Sequence, residues 1–244
     1  ETLAPELRAC GKSPDTPVVF QVGSASPEKA AEACRQVAGS VDGLDLNLGC
    51  AEFFSTQGGM GSALLEKPDA VREIVHRLVR EFGHATEVSA KIRLLESAAG
   101  TAGFVRTALC AAGCRTVAVH ARHVWEDRCA APHWDELRAL REALEPDRVR
   151  LIANGGVKTR DDVAAIRRAT GIPDVMVGKG ALVNPSSVFA LETTPPTELI
   201  ERFLKLVNNN NNNKQQMKQM RHALHSHTDS LSPSHVSVCG AQPP

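Results

Sequence analysis

The sequence predicts an α/β protein of the TIM (β/α)8-barrel type, on three observations. Short apolar runs with β-branched character recur along the chain. Helix-patterned segments separate them at the spacing of parallel strands joined by right-handed crossovers. Several of the runs end in a polar residue at one rim: Gln21, Asn47, Lys91, His120 and Asn154. Catalytic and binding groups drawn from many strand ends are the barrel pattern, whereas an open doubly wound sheet gathers its ligand groups at one switch point. The open sheet is the alternative closure.

Six strands are expected. They centre on Val18–Val22, Leu44–Leu48, Val88–Ile92, Val117–His120, Val149–Asn154 and Val175–Gly178. The first helix spans Pro27 to Ala38, with Ser26 as N-cap and proline in the first turn. Pro68 to Phe82 places Val71, Ile74, Val75 and Leu78 on one face and Arg72, His76, Arg77 and Arg80 mostly elsewhere. Thr101 to Ala112, His133 to Leu144 and Arg160 to Ala169 continue the alternation. Residues 1–17, with Pro5, Gly11, Pro14 and Pro17, read as a loop or the remnant of an upstream unit. Residues 18–190 form the barrel domain. A barrel has eight units, so two more are expected before residue 1.

Composition changes after Phe189. Residues 191–227 read as a linker, a helix over Thr197–Val207, the Asn208–Asn213 tract and a basic segment, Lys214 to His227, that a helix would suit. The tract is low-complexity chain that packs nothing, and 228–244 reads as disordered.

At 244 residues and 42% hydrophobic content the chain can build one large core. Its 28 Lys and Arg balance 28 Asp and Glu, so net charge does not advertise a nucleic-acid partner. Aromatics are 4% and tyrosine is absent, which argues against an extended stacking platform for single strands. Seven cysteines without repeated spacing fit reduced thiols better than a disulfide framework. Cys110 and Cys114 are four apart on an expected helix, but no Cys or His pair completes a zinc set, so no metal is expected. No apolar run is long enough to span a membrane. A monomer is expected, acting in the cytoplasm, with nucleus or organelle left open.

The chemistry concentrates at rim positions. Asp45-Leu46-Asn47-Leu48-Gly49-Cys50 brings an Asn and a thiol to the end of an apolar strand, and Gly58-Gly59-Met60-Gly61 follows. Asn154-Gly155-Gly156 closes one late strand and Gly178-Lys179-Gly180 the next. Glycine turns after the last two strands of a barrel commonly bind phosphate through backbone amides, and Lys179 adds charge. Lys91 inside an apolar strand needs an anionic or carbonyl partner, which the pyrimidine edge of a flavin would supply. His120 and Arg122 end another strand as Val-His-Ala-Arg.

Together these segments resemble the tRNA-dihydrouridine synthases. The run from Asn47 through Cys50 to Leu65 and Pro68 is similar to the family signature. Val19 to Gly23, Lys91-Ile92-Arg93, Val119 to Arg122, Ile152 to Gly156 and Gly178 to Leu182 follow in the family's order. Phe54-Ser55-Thr56 and Gly-Gly-Met-Gly most resemble the eukaryotic branch that modifies position twenty of the D-loop. The resemblance covers residues 16–190. It implies an FMN barrel that reduces uridine in tRNA, with NADPH or NADH reloading the flavin. It also implies that Gln21 and Lys91 contact the flavin ring, and that His120, Asn154, Gly155, Gly156, Gly178 and Lys179 hold its phosphate. Asn47, Arg93 and Arg122 fall to the substrate, and Cys50 to the proton donor. Hydride from reduced FMN would leave enolate-like charge on the uracil, which a thiol on the other face can protonate. Free thiols titrate at about 8.5 and so carry a proton at neutral pH. The base must leave its stack to react. The chain departs from the family pattern at Ala51 (usually Pro), Glu52 (usually basic), Gln57 (often Lys in the eukaryotic branch) and Ala121 (usually Gly). The alternatives are another FMN barrel oxidoreductase acting on a small molecule, and a non-catalytic RNA-binding relic.

Overall fold

The computed structural model describes residues 17–127 and 129–209, with side chains to residue 205. The readings of residues 1–16 and 210–244 lie outside the described residues. Six strands form one parallel sheet in chain order: β1 Val19–Val22, β2 Gly43–Asn47, β3 Glu87–Leu94, β4 Thr116–His123, β5 Arg150–Asn154 and β6 Asp174–Met176. Each strand pairs with its sequence neighbour, so the row has no reversal and no switch point. That is the order of a (β/α) barrel and not of a doubly wound sheet.

The helices of this part are α1 Pro27–Arg35, α2 Phe53–Gln57, α3 Pro68–Phe82, α4 Ala98–Phe104, α5 Trp134–Leu144 and α6 Arg160–Thr170. Ser26 caps α1 by accepting from the Lys29 amide, with Pro27 in the first turn. Thr159 and Asp162 close a reciprocal capping box at α6, and Gly171, at φ 72°, ends that helix.

One face of the sheet is apolar. Leu44 and Leu46, then Ala90, Ile92 and Leu94, then Val117, Val119 and Ala121 are fully or almost fully buried. They pack in one core with Ile74, Val75 and Leu78 of α3 and Leu137, Leu140 and Leu144 of α5. Each fully buried leucine contributes about 2 kcal/mol of transfer free energy. The period-2 alternation leaves the opposite face polar: Gln21, Asp45, Asn47, Ser89, Lys91, Arg93, His120, Arg122 and Asn154.

Two strands run past the expected ends. β3 continues to Leu94 and β4 to His123, so Lys91 and His120 lie inside their strands. The expected helix over Thr101–Ala112 starts earlier, at Ala98, and changes character. A π-helical segment covers Val105–Leu109 and a 3-10 turn covers Cys110–Ala112, so Cys110 and Cys114 do not share one α-helical face.

The described chain divides into two units, the first ending at Gly180 and the second beginning at Ala181. A short helix, α7 Lys179–Val183, crosses this boundary, and α8 Pro185–Phe189 and α9 Pro196–Asn209 follow. Asn184 caps α8 by accepting from the Ser186 and Ser187 amides and donates to the Thr194 carbonyl. Among the described residues, no helix is long and apolar enough to cross a membrane.

Candidate active site

The polar face of the sheet holds two adjoining groups of residues. The first surrounds Cys50. The Asn47 side-chain oxygen accepts from the amides of Gly49 and Cys50, both at 3.1 Å, and so turns the chain sharply at the end of β2. The Asn47 amide group donates to Gln21 Oε1 at 2.9 Å, and Gln21 donates to Asp45 Oδ2 at 2.7 Å. Ser89 donates to the other oxygen of Asp45 at 2.6 Å.

Two further contacts hold the thiol loop. Arg93 Nε donates to the Gly49 carbonyl at 2.9 Å, and the Ser62 amide donates to the Cys50 carbonyl at 2.9 Å. Gly61 makes the second contact possible. Its φ is 61°, and a Cβ there would lie 2.4 Å from the Cys50 oxygen. The expected glycine-rich loop, Gly58–Gly61, joins the short helix α2 to a 3-10 segment, Gly61–Glu66. Phe53 and Phe54 of α2, three and four residues after Cys50, are exposed, at 75% and 72%.

Lys91 neighbours Asn47 in the β2–β3 register. Burial lowers its pKa most, and Asp45 and the Cys50 thiol pull the other way. Burial raises the pKa of Asp45, while Gln21, Ser89 and Lys91 oppose the rise.

The second group lines a cavity of about 460 Å3, within the range of small-molecule sites. Arg93, His120, Asn154 and Met176 are register neighbours on four successive strands, and all four line it. Arg122, Lys158, Lys179, Gly155, Gly156 and Gly178 complete most of the wall. Four cations therefore face this space, and among the described residues no carboxylate lines it.

The glycine turn has a defined reason. Gly155 has φ 115° and Gly156 φ 80°, values an L-residue rarely adopts. A Cβ on Gly155 would lie 2.8 Å from His120 Cδ2, and one on Gly156 2.7 Å from Pro132 Cγ. The Asn154 side chain donates to the Met176 carbonyl at 2.9 Å, tying the turn to β6. Trp134 Nε1 donates to the Gly155 carbonyl at 3.1 Å.

His120 is held neutral. Burial first, and then the charges of Lys91, Arg93 and Arg122, push its pKa from 6.5 down to about 3. Arg122 can only donate, so the 3.1 Å contact between Arg122 and His120 Nε2 leaves the ring proton on Nδ1. The depressed folded value has a sign. Below about pH 6.5 the unfolded chain binds a proton on this ring and the folded chain does not. Stability is then lost as pH falls from 6.5 toward 3. Thermal melts across this window should show a steeper fall for the native chain than for His120→Gln, and equal slopes would contradict the assignment.

The fold thus brings Gln21, Asn47, Lys91 and Cys50 into one group. His120, Asn154, Gly155, Gly156, Gly178 and Lys179 form the other. Arg93 joins the two, because it lines the cavity and also bonds the thiol loop; a second bond runs to the His123 carbonyl at 3.0 Å. Arg122 lies with the cavity group and donates to the Ala130 carbonyl at 2.6 Å. Lys158 went unrecognised in the sequence because it belongs to no turn motif. Its signal is its place two residues after Gly156.

Comparison with known proteins gives one consistent answer. The family model described as dihydrouridine synthase (Dus) matches residues 4–236. The chain is 38% identical over 162 residues to the tRNA-dihydrouridine(20) synthase [NAD(P)+] of Saccharomyces cerevisiae, covering 66% of this chain and 41% of that protein. It is 33% identical over 198 residues to the protein of the same name in Schizosaccharomyces pombe, covering 79% and 41%. A tRNA-dihydrouridine(16) synthase of Ralstonia nicotianae is 35% identical over 187 residues, covering 76% and 56%. The chain spans about two-fifths of the length of the two yeast proteins. These matches favour neither the small-molecule oxidoreductase nor the RNA-binding relic. On this evidence the chain belongs to the dihydrouridine synthase family.

Proposed function

We propose that this chain reduces uridine to 5,6-dihydrouridine in tRNA, with FMN as cofactor and NADPH or NADH as reductant. The observation that carries the reading is the cationic, glycine-turned cavity joined through Arg93 to the Cys50 loop. Family membership and the names of the relatives support the reaction and a nicotinamide reductant.

The cavity fits a phosphate monoester. Arg122, Lys158 and Lys179 supply charge, and the left-handed turn at Gly155 and Gly156 lets a ligand approach the backbone closely. Neutral His120 can donate from Nδ1 without adding charge. Gln21 and Lys91 would serve the ring of FMN, where a cation favours electron-rich oxygen and nitrogen. FMN, when bound and reduced, supplies hydride.

The chain's own residues do the rest. Cys50 gives its proton to the uracil carbon next to the reduced one, on the opposite ring face. Asn47 positions that thiol through two backbone amides and keeps one N–H for the base. Arg122, assigned to the substrate from sequence, is here assigned to the cofactor phosphate, while Arg93 shapes both groups. Phe53 and Phe54 offer apolar rings on which an unstacked tRNA base can rest. Cys34, Cys50, Cys110 and Cys114 are free thiols, which suits a reducing compartment such as the cytoplasm.

The test supplies the chain with FMN, NADPH and unmodified tRNA and quantifies dihydrouridine by mass spectrometry. Product should form on tRNA and depend on both additions. Turnover of dihydroorotate or orotate with none on tRNA would replace this reading with the small-molecule one.

A further inference from the structure

Two His-x-x-Glu pairs stand close together in the sequence, His123-Val124-Trp125-Glu126 and His133-Trp134-Asp135-Glu136; a third, His84-Ala85-Thr86-Glu87, lies apart at the start of β3. The first pair ends β4, and the second starts α5. The fold closes the intervening loop so that the two pairs meet. Ligand atoms of His123, Glu126 and His133 all lie within 4.8 Å of one another. Glu136 Oε1 is 3.1 Å from His123 Nε2 and 3.9 Å from His133 Nδ1. His133 Nε2 is 2.6 Å from Glu126 Oε1.

The surroundings prepare these groups to bind a cation. His123 Nδ1 lies 2.5 Å from the Leu95 carbonyl, which can only accept. Nδ1 therefore carries a proton, and Nε2, which faces Glu136 Oε1, would give up any second proton to an ion, leaving the tautomer that orients metal-binding histidines. Trp125 stacks on the same ring, with centroids 4.5 Å apart and planes at 4°. Glu126 Oε2 accepts from the His123 amide at 2.6 Å, which leaves Oε1 toward the cluster. The His133 amide donates to the Ala121 carbonyl, anchoring the second pair to β4.

We propose that His123, Glu126, His133 and Glu136 bind a divalent transition ion of the Zn2+ class. Two imidazoles and two carboxylates match its preferred donors and its fourfold coordination. His123, Glu126 and His133 already converge; Glu136 faces the other nitrogen of His133, so its side chain must rotate for it to become the fourth donor. With four protein ligands the site is structural. It staples the β4–α5 loop, whose Ala130 carbonyl receives Arg122 and whose Pro132 abuts Gly156. The ion would thus stiffen one wall of the cationic cavity. The proposal does not rest on the assigned reaction.

The test adds Co2+ to the metal-stripped full chain and records the visible absorption of four-coordinate Co2+. One equivalent should bind, Zn2+ should displace it, and Zn2+ should raise the melting temperature. His133→Asn and Glu126→Gln should each weaken Co2+ binding by about tenfold or more. The chain also carries His222, His225 and His227, so a variant with all three changed to Ala is the control and should keep the signal. Absence of the Co2+ spectrum overturns the proposal. So does a spectrum that survives His133→Asn and Glu126→Gln but disappears with the three tail histidines.

Discussion

Cys50→Ala should lower the rate of dihydrouridine formation by about 10²–10⁴-fold, the usual contribution of a positioned general acid. FMN affinity should stay within about twofold, because Cys50 does not line the cationic cavity and a twofold change is only about 0.4 kcal/mol. The fold should survive. The loop is held by backbone contacts to Asn47, Arg93 and Ser62, and none of them uses the thiol. Single-turnover assays with unmodified tRNA separate the chemical step from binding. Unchanged turnover would remove Cys50 from the reaction and leave the loop architecture without a purpose.

Gly155→Ala should weaken FMN binding by about 30-fold and destabilise the fold by about 2 kcal/mol. At φ 115° an alanine carries backbone strain of about 1–3 kcal/mol. Its Cβ would also meet His120 Cδ2 at 2.8 Å. His120 can yield only by disturbing its contact with Arg122, which removes two groups from the cavity at once. Gly178→Ala is the contrast. Nothing lies within 4 Å of a Cβ at that position, so stability should change by less than about 0.5 kcal/mol. Thermal melts and flavin titration measure both effects.

Much of this was legible in the sequence for simple reasons. Pro68–Phe82 was recovered to the residue because proline starts it and Val71, Ile74, Val75 and Leu78 repeat at helical spacing. The polar positions of the sheet stand out because Asn, Lys and His interrupt apolar runs, although Lys91 and His120 lie inside their strands and not at the rim. The same interruption misled the strand ends. Reading a strand as a mostly apolar run stops β3 at Ile92, although Arg93 and Leu94 continue the alternation and Leu94 is buried. The helix α2 inside the thiol loop is too short to show periodicity. The π-helical turn at Val105–Leu109 has no residue signature. The partnership of Arg93 with Gly49 spans 44 residues and exists only once β2 and β3 pair. The His-x-x-Glu pairs were visible as text, but only the loop closure between β4 and α5 makes them one cluster.

His120 and Asn154, with the glycine turn and the cations Arg122, Lys158 and Lys179, are assigned to the phosphate of FMN. Parallel titrations of the chain with FMN and with riboflavin, which differ in that phosphate alone, test this assignment most directly. FMN should bind saturably at one equivalent, at least about tenfold tighter than riboflavin, or about 1.4 kcal/mol. Arg122→Ser with Lys179→Ser should erase that preference. Equal affinity for the two flavins, or no FMN binding, would contradict it.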